Sequence, residues 1–200
     1  ITCRKDVPGF IVNRLFMPLV HEACYVMERQ KIQQTELDSA VKFRLGFPMG
    51  IFELADFTGL DVIHKATVEM HTRDKKVILP HPTIEQLFNE KKLGQKSGEG
   101  FYKYSDDKYE RIPLSEELAQ KCDPVQIIAN ILNNAAWLVT NNASDIDEIE
   151  KAANLGLGLK KPLFDTAKEI GMQKIVEELK KLSNKHGTFY EPDPLLLSMC

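Results

Sequence analysis

Apolar residues at Ile11, Leu15, Leu19, Val20, Ala23, Val26 and Met27 recur close to the helical period and predict a helix over residues 10–30. Pro8-Gly9 punctuates its start, and Asp6 is the expected cap. A second helix is expected from Thr35, a cap-like residue, to Leu45, with Gly46 at its end. Phe47-Pro-Met-Gly50 reads as a turn, residues 51–57 as a short apolar helix broken by Gly59, and residues 60 to about 73 as a longer one. Leu79-Pro-His-Pro82 reads as extended, because each proline disfavours helix in the residue before it. Thr83 is expected to cap a helix running to about Lys92. Gly94, Gly98 and Gly100 then make a loop into Phe101-Tyr-Lys-Tyr104, a short strand or a packed tail. Beyond a charged, irregular stretch at 105–122 with a short helix from Ser115, helices are expected at about 124–142, 145–156, 163–170 and 172–186. Strand propensity is nearly absent, so the predicted fold is all-α.

The second half repeats the first. Residues 13–88 lie over 125–200 without a gap, at a constant offset of 112. Ala23 falls on Ala135, Gly46 on Gly158, Phe52 on Phe164, Gly59 on Gly171, Ile63 on Ile175, Pro80 on Pro192 and Pro82 on Pro194. Identities are few, but matched Gly, Pro and apolar positions hold one register, and those residues set turns and buried faces. The expected organisation is a first helical unit over 1–107, a linker over 108–122, and a second, degenerate and truncated copy over 123–200. A tandem helical duplication can bury one copy's apolar face against the other, so the copies are expected to pack as a pseudo-dimer within one polypeptide. Packing without dimer-like symmetry is the alternative.

Bulk properties narrow the function classes. A net charge of −3 gives no electrostatic footprint for nucleic acid or an anionic membrane, and no apolar run is long enough to span a bilayer. Cys3, Cys24, Cys122 and Cys200 are scattered without metal-like spacing, which fits reduced thiols in a cytoplasmic protein. The chain opens without Met, and the second copy stops at Cys200 where the first runs on to Tyr104. Both features read as a piece of a longer chain.

Several groups resemble chemical sites without their essential parts. His21-Glu22-Ala-Cys-Tyr25 begins like a helical zinc motif but has Tyr where the second His is needed. His64, His71 and His81 lack ligand spacing. Gly94-Gln-Lys-Ser-Gly-Glu-Gly100 lacks the Gly-Lys-Ser/Thr order of a phosphate loop and the third glycine of a dinucleotide fingerprint. Asn13 and Arg14 stand apart, because they place an amide and a guanidinium in the first turns of an otherwise apolar helix. The amide of Asn13 has two readings: a bond to neighbouring backbone, or a ligand contact. The second copy has Val125 and Gln126 at the matching positions, so the shared fold does not require the pair.

Three stretches carry a family resemblance. They are Asp6-Val-Pro-Gly-Phe-Ile-Val-Asn-Arg-Leu15, then Gly46-Phe-Pro-Met-Gly-Ile-Phe-Glu-Leu54 with Asp56 and Gly59-Leu-Asp61, then Gly94-Gln-Lys-Ser-Gly-Glu-Gly-Phe-Tyr-Lys-Tyr104. In this order they resemble the C-terminal helical domain of 3-hydroxyacyl-CoA dehydrogenases. The second copy looks like the degenerate repeat of multifunctional forms joined to an enoyl-CoA hydratase. The resemblance implies NAD-dependent oxidation of an L-3-hydroxyacyl-CoA to the 3-ketoacyl-CoA in fatty-acid β-oxidation. It also implies that a preceding Rossmann domain, absent here, holds NAD and supplies the catalytic His and Glu. The helical domain closes over the acyl-CoA, provides a homodimer contact and donates one asparagine, matched by Asn13. Arg14, Pro48, Met49 and Gly50 are the expected substrate contacts from the same matched motifs. Position 51 is Ile where the family turn usually has Pro. A fragment of this kind is expected to be inactive alone. Two other classes stay open: a helical assembly module with no direct catalytic role, and the helical domain of a different hydroxy-acid dehydrogenase.

Overall fold

The computed structural model describes residues 1–104 and 113–200. Its first five α-helices are α1 (Val12–Gln30), α2 (Gln34–Leu45), α3 (Ile51–Thr58), α4 (Leu60–Arg73) and α5 (Pro82–Asn89). After α6 (Glu116–Ala119) come α7 (Val125–Thr140), α8 (Ile146–Leu157), α9 (Leu163–Ile170), α10 (Met172–His186) and α11 (Pro194–Ser198). There is no named strand among the described residues; Glu99 makes only isolated bridges to Gly94 and Lys103. The all-α expectation holds. Residues 101–104 form a packed tail, with Phe101 and Tyr102 buried.

The offset of 112 maps α2 onto α8 and α3 onto α9 residue for residue, and α4 and α10 start in register. Backbone geometry repeats with it. Gly46 and Gly158 close their helices at φ 77° and 70°, and Gly59 and Gly171 break theirs at φ 98° and 102°. Such positive φ values are strained for any residue with a Cβ, which is why glycine recurs there.

Equivalent positions also do equivalent work with different chemistry. In the first copy Asp38 accepts from the backbone N–H of Phe52 at 2.9 Å and of Glu53 at 3.2 Å, capping α3. In the second, Glu150 accepts from Leu163 at 2.7 Å and Phe164 at 2.9 Å, capping α9. The His81 ring caps α5 by accepting from Thr83, and the Asp193 carboxylate caps α11 by accepting from Leu195. Behind each cap, a group on the long first helix accepts the cap residue's own N–H: His21 Nδ1 for His81 and Asn133 Oδ1 for Asp193.

Three expected caps are corrected. Asp6 pairs with Arg73 at 2.9 Å instead of capping α1, whose N-cap is Ile11 without a side-chain bond. Gln33, not Thr35, is the N-cap of α2, with the Glu36 carboxylate accepting from its N–H at 2.8 Å. His81, not Thr83, caps α5, because Pro82 already provides a helix-compatible first residue.

The core is built where α1 packs along α7. Leu15, Leu19, Val20 and Ala23 of α1 and Ile127, Ile128, Ile131, Leu132 and Ala135 of α7 are all buried. At about 1.5–3 kcal/mol for each large side chain, this apolar seam outweighs any single polar contact between the halves. Close approach is enforced by glycine: a Cβ on Gly156 of α8 would lie 2.8 Å from Val12, and one on Gly158 would lie 2.7 Å from Pro48. Residues 105–112, which include the start of the expected linker, lie outside the described residues. Its later part, α6, packs against α2, with Ala119 and Cys122 buried.

Candidate functional site

The segment leading into α1 is bent by two consecutive left-handed residues, Gly9 at φ 82° and Phe10 at φ 49°. Gly9 is required, since a Cβ there would lie 2.7 Å from Met70 and 2.9 Å from the Arg14 nitrogen. Phe10 is a bulky residue in a region costing roughly 1–2 kcal/mol outside glycine. Its N–H donates to the Val7 carbonyl at 3.0 Å, and the Arg14 N–H reaches back to Gly9 O at 3.3 Å. This turn starts α1 so that neighbouring side chains part company. Asn13 faces out and Arg14 faces in.

Asn13 is exposed, and among the described residues no hydrogen-bond partner reaches its amide. It lines a cavity of about 290 Å³ with Ile1, Cys3, Gly9, Phe10, Ile11 and Val12. Phe10 is 56 % exposed beside it. The first turn of α1 carries no acidic residue and its N-cap no side-chain bond, so the positive end of the helix dipole is left uncompensated next to the amide. A neutral donor in an apolar surround, close to a helix N-terminus, suits an oxygen that gains negative charge.

Arg14 is 3 % exposed and does different work. It donates to the Asp74 carboxylate at 2.9 Å, and its guanidinium lies 3.7 Å from the ring centroid of Trp137 on α7. Burial lowers its pKa, with the Asp74 hydrogen bond and charge working against that loss. Burial also works to raise Asp74, but the Lys76 N–H and Arg14 outweigh it and hold that carboxyl below its usual range. Arg14 thus ties the first half of the chain to the second. It borders a separate cavity of about 350 Å³ with Lys76, Asn133, Trp137 and the segment around Pro192.

Pro48, Met49 and Gly50 are held in the turn before α3. Pro48 is exposed against Gly158, Met49 is half-buried, and Gly50 is buried where a Cβ would lie 2.2 Å from the Asp38 carboxyl carbon. Burial pushes Asp38 up to about 7, against the N–H groups of Phe52 and Glu53 and the Tyr102 hydroxyl, which donates at 2.8 Å. The cavity that Asn13 lines includes none of Arg14, Pro48, Met49 or Gly50. The five expected site residues are therefore distributed over three places.

Of the histidines, His21 is buried with Nε2 on the Thr67 hydroxyl at 2.8 Å and Nδ1 taking the His81 N–H at 3.2 Å. Burial first, then His81 and His64, lowers its pKa to about 3. Sequence reasoning missed two features. One is Phe10, whose left-handed backbone leaves no trace in residue type. The other is a buried network in which Tyr190 donates to Glu22 at 2.6 Å and Arg29 pairs with the same carboxylate. Its members lie 168 positions apart, beyond any local pattern.

Residues 9–104 match the family model described as 3-hydroxyacyl-CoA dehydrogenase, C-terminal domain. The mitochondrial hydroxyacyl-coenzyme A dehydrogenase of Rattus norvegicus is 44 % identical over 106 residues, which are 52 % of this chain and 33 % of that protein. The chain thus spans about a third of the length of the curated relatives it matches. The crystal structure of 3-hydroxybutyryl-CoA dehydrogenase from Escherichia coli K12 covers 96 % of this chain and 60 % of its own, with a TM-score of 0.78 at 21 % identity. The dehydrogenase part of multifunctional enzyme 1 from C. elegans covers 92 % of this chain and 47 % of its own, with a TM-score of 0.60 at 18 % identity. At those identities the two likenesses speak for the fold alone, and they extend it over both halves.

Proposed function

We propose a function from one premise: residues 9–104 match the family model of the 3-hydroxyacyl-CoA dehydrogenase C-terminal domain. The region is the substrate-closing part of an NAD-dependent L-3-hydroxyacyl-CoA dehydrogenase, working on the oxidation of 3-hydroxyacyl-CoA to 3-ketoacyl-CoA in β-oxidation. The single observation that carries this reading is the outward-facing amide of Asn13, which has no partner among the described residues and lines an apolar cavity. Its N–H group is suited to hold the substrate oxygen whose charge changes during the reaction, without bringing a fixed charge of its own. Positioning of this kind is what a carboxamide can contribute.

The described residues are helical and contain no strand followed by a glycine-rich turn. The cofactor, with the catalytic His and Glu, belongs on this reading to a Rossmann domain elsewhere in a longer polypeptide, and a fused enoyl-CoA hydratase is a further candidate neighbour. No step is assigned to the cofactor from these residues.

On the same reading the first unit spans 1–107, a linker 108–122 and the second copy 123–200, and the two copies stand to each other as subunits of a dimer. The seam of α1 with α7 and the repeated caps support that arrangement. Arg14, Pro48, Met49 and Gly50 are assigned supporting roles behind the site, since Arg14 is already held by Asp74 and Trp137 and Gly50 by its contact with Asp38. A cytoplasmic location rests on four unpaired cysteines. No helix among the described residues is long and apolar enough to cross a membrane.

The test is Asn13→Ala in the intact polypeptide containing this region. Loss of one such donor is expected to lower kcat by roughly 10²–10³-fold, with thermal stability little changed because the side chain is exposed and unpartnered. Unchanged kinetics on 3-hydroxyacyl-CoA would assign the region to assembly alone.

A further inference from the structure

Phe10 is costly twice over. Its backbone sits at φ 49°, where a glycine would rest without strain, and this large apolar residue is left 56 % exposed instead of buried. The strain is enforced from one side: Gly9 at φ 82° packs on Met70, and the Phe10 N–H is fixed by the Val7 carbonyl at 3.0 Å. The effect is to hold an aromatic face over the cavity that Asn13 lines. Apart from the Asn13 amide and the Cys3 thiol, the side chains of that cavity are hydrocarbon: Ile1, Phe10, Ile11 and Val12. The Cys3 thiol is itself turned to the Lys5 carbonyl at 3.2 Å.

We infer that Phe10 is a specificity-determining residue for the acyl chain, forming the apolar wall against which the carbons of the substrate lie while Asn13 holds its oxygen. This rests on the proposed function above. The occupant follows from the chemistry of the cavity. One neutral hydrogen-bonding group beside an apolar wall of side chains matches an oxygenated carbon within an acyl chain. A volume of about 290 Å³ lies just below the range of ligand cavities, about 300 to 1,000 Å³, and so takes an acyl segment in preference to a whole acyl-CoA. A rigid aromatic with few rotatable bonds makes such a wall at little entropic cost.

The experiment compares Phe10→Gly, Phe10→Leu and Asn13→Ala with the unmodified intact polypeptide, using 3-hydroxyacyl-CoA substrates of four, eight and twelve carbons. Phe10→Gly should lower kcat/KM for the longest substrate relative to the shortest by about fivefold or more, since each buried methylene contributes a few-fold. The change should fall mainly on KM, and Phe10→Leu should restore part of it. Because glycine relieves the left-handed strain, the melting temperature of Phe10→Gly should hold or rise, a result that a structural role for the ring would reverse. An equal fall at every chain length, a raised KM for NAD, or an unaltered profile would overturn the assignment, the first two marking Phe10 as a contact to a neighbouring domain. If the unmodified polypeptide turns over none of these substrates, or Asn13→Ala leaves kcat intact, the underlying reading fails instead.

Discussion

Replacing Tyr190 by Phe removes one oxygen atom from the seam between the two halves of the chain. That hydroxyl donates to Glu22 Oε2 at 2.6 Å, and Glu22 is wholly buried on α1 with Arg29 as its other partner. Burial raises the Glu22 pKa to about 7, against the charge of Arg29 and the hydrogen bonds from Tyr190 and Arg29. Its value in the folded state thus lies above the ordinary value of 4.5. The folded protein binds this proton more tightly than the unfolded chain does, so the associated stability is fully present below about 4.5 and is lost as pH rises through about 7. Above that range Glu22 is an ionised buried carboxylate leaning on two donors. A hydrogen bond to a charged group is worth about 1.5–3 kcal/mol, and one between neutral groups about 0.5–1.5. Tyr190→Phe should therefore cost about 2–3 kcal/mol at pH 8 and only about 1 kcal/mol at pH 5. Urea unfolding at both pH values, followed through the single tryptophan, Trp137, reads the difference where the copies meet. Asp38 also titrates near 7, but its contribution is common to both proteins and cancels. In a Glu22→Gln background the pH dependence of the Tyr190→Phe loss should vanish. An equal loss at pH 5 and pH 8, or none at either, refutes the account of the network.

Gly100→Ala should detach the tail at 94–104, because its Cβ would lie 2.1 Å from Asp56 Oδ1. That carboxylate accepts the N–H groups of Phe101 and Tyr102 at 2.9 Å and the Tyr104 hydroxyl at 2.8 Å. A melting curve should show a loss of about 3 kcal/mol or more, and a loss under 1 kcal/mol would mean that the tail adjusts freely. Thiol reactivity should separate the cysteines. Cys200 is exposed, whereas burial pushes the Cys122 thiol up to about 12 and raises Cys24 as well. A thiol reagent at pH 8 should modify Cys200 rapidly and reach Cys24 and Cys122 only with urea; rapid native labelling of Cys24 would contradict the packing of α1.

The helix bounds were legible because the signals that set them are local. Gly46, Gly59, Gly158 and Gly171 end or break helices through their own φ values, and the apolar period between them marks the buried face. Cap identity was less legible, because Gln33 and His81 act in place of the Thr residues that stand two positions later. Pro82 and the reach of Glu36 settle those choices through local geometry that residue preference alone does not express. Arg14 shows a harder limit. Its partners Asp74 and Trp137 lie far along the chain, so nothing near it in sequence separates a substrate contact from a tie between copies. For Asn13 the sequence left two readings of its amide, and the structure leaves the group without a backbone or side-chain partner among the described residues.

On the two-copy reading, the halves treat equivalent positions in two ways, and the contrast bears on where chemistry is placed. Where a helix end must be capped, each copy keeps a group able to do it, although Asp38 answers to Glu150, His81 to Asp193 and His21 to Asn133. The geometric demand is shared, so an acceptor is present in both. At position 13 no such demand exists. Asn13 is exposed at the start of α1, whereas its counterpart Val125 is 5 % exposed at the start of α7. An amide at 125 would be buried, and left without a partner there it would cost about 1–3 kcal/mol. The same helix start is thus solvent-facing in one copy and covered in the other. On the reading proposed here, that asymmetry lets one half carry the site while the other contributes the packing surface that a second subunit would otherwise supply.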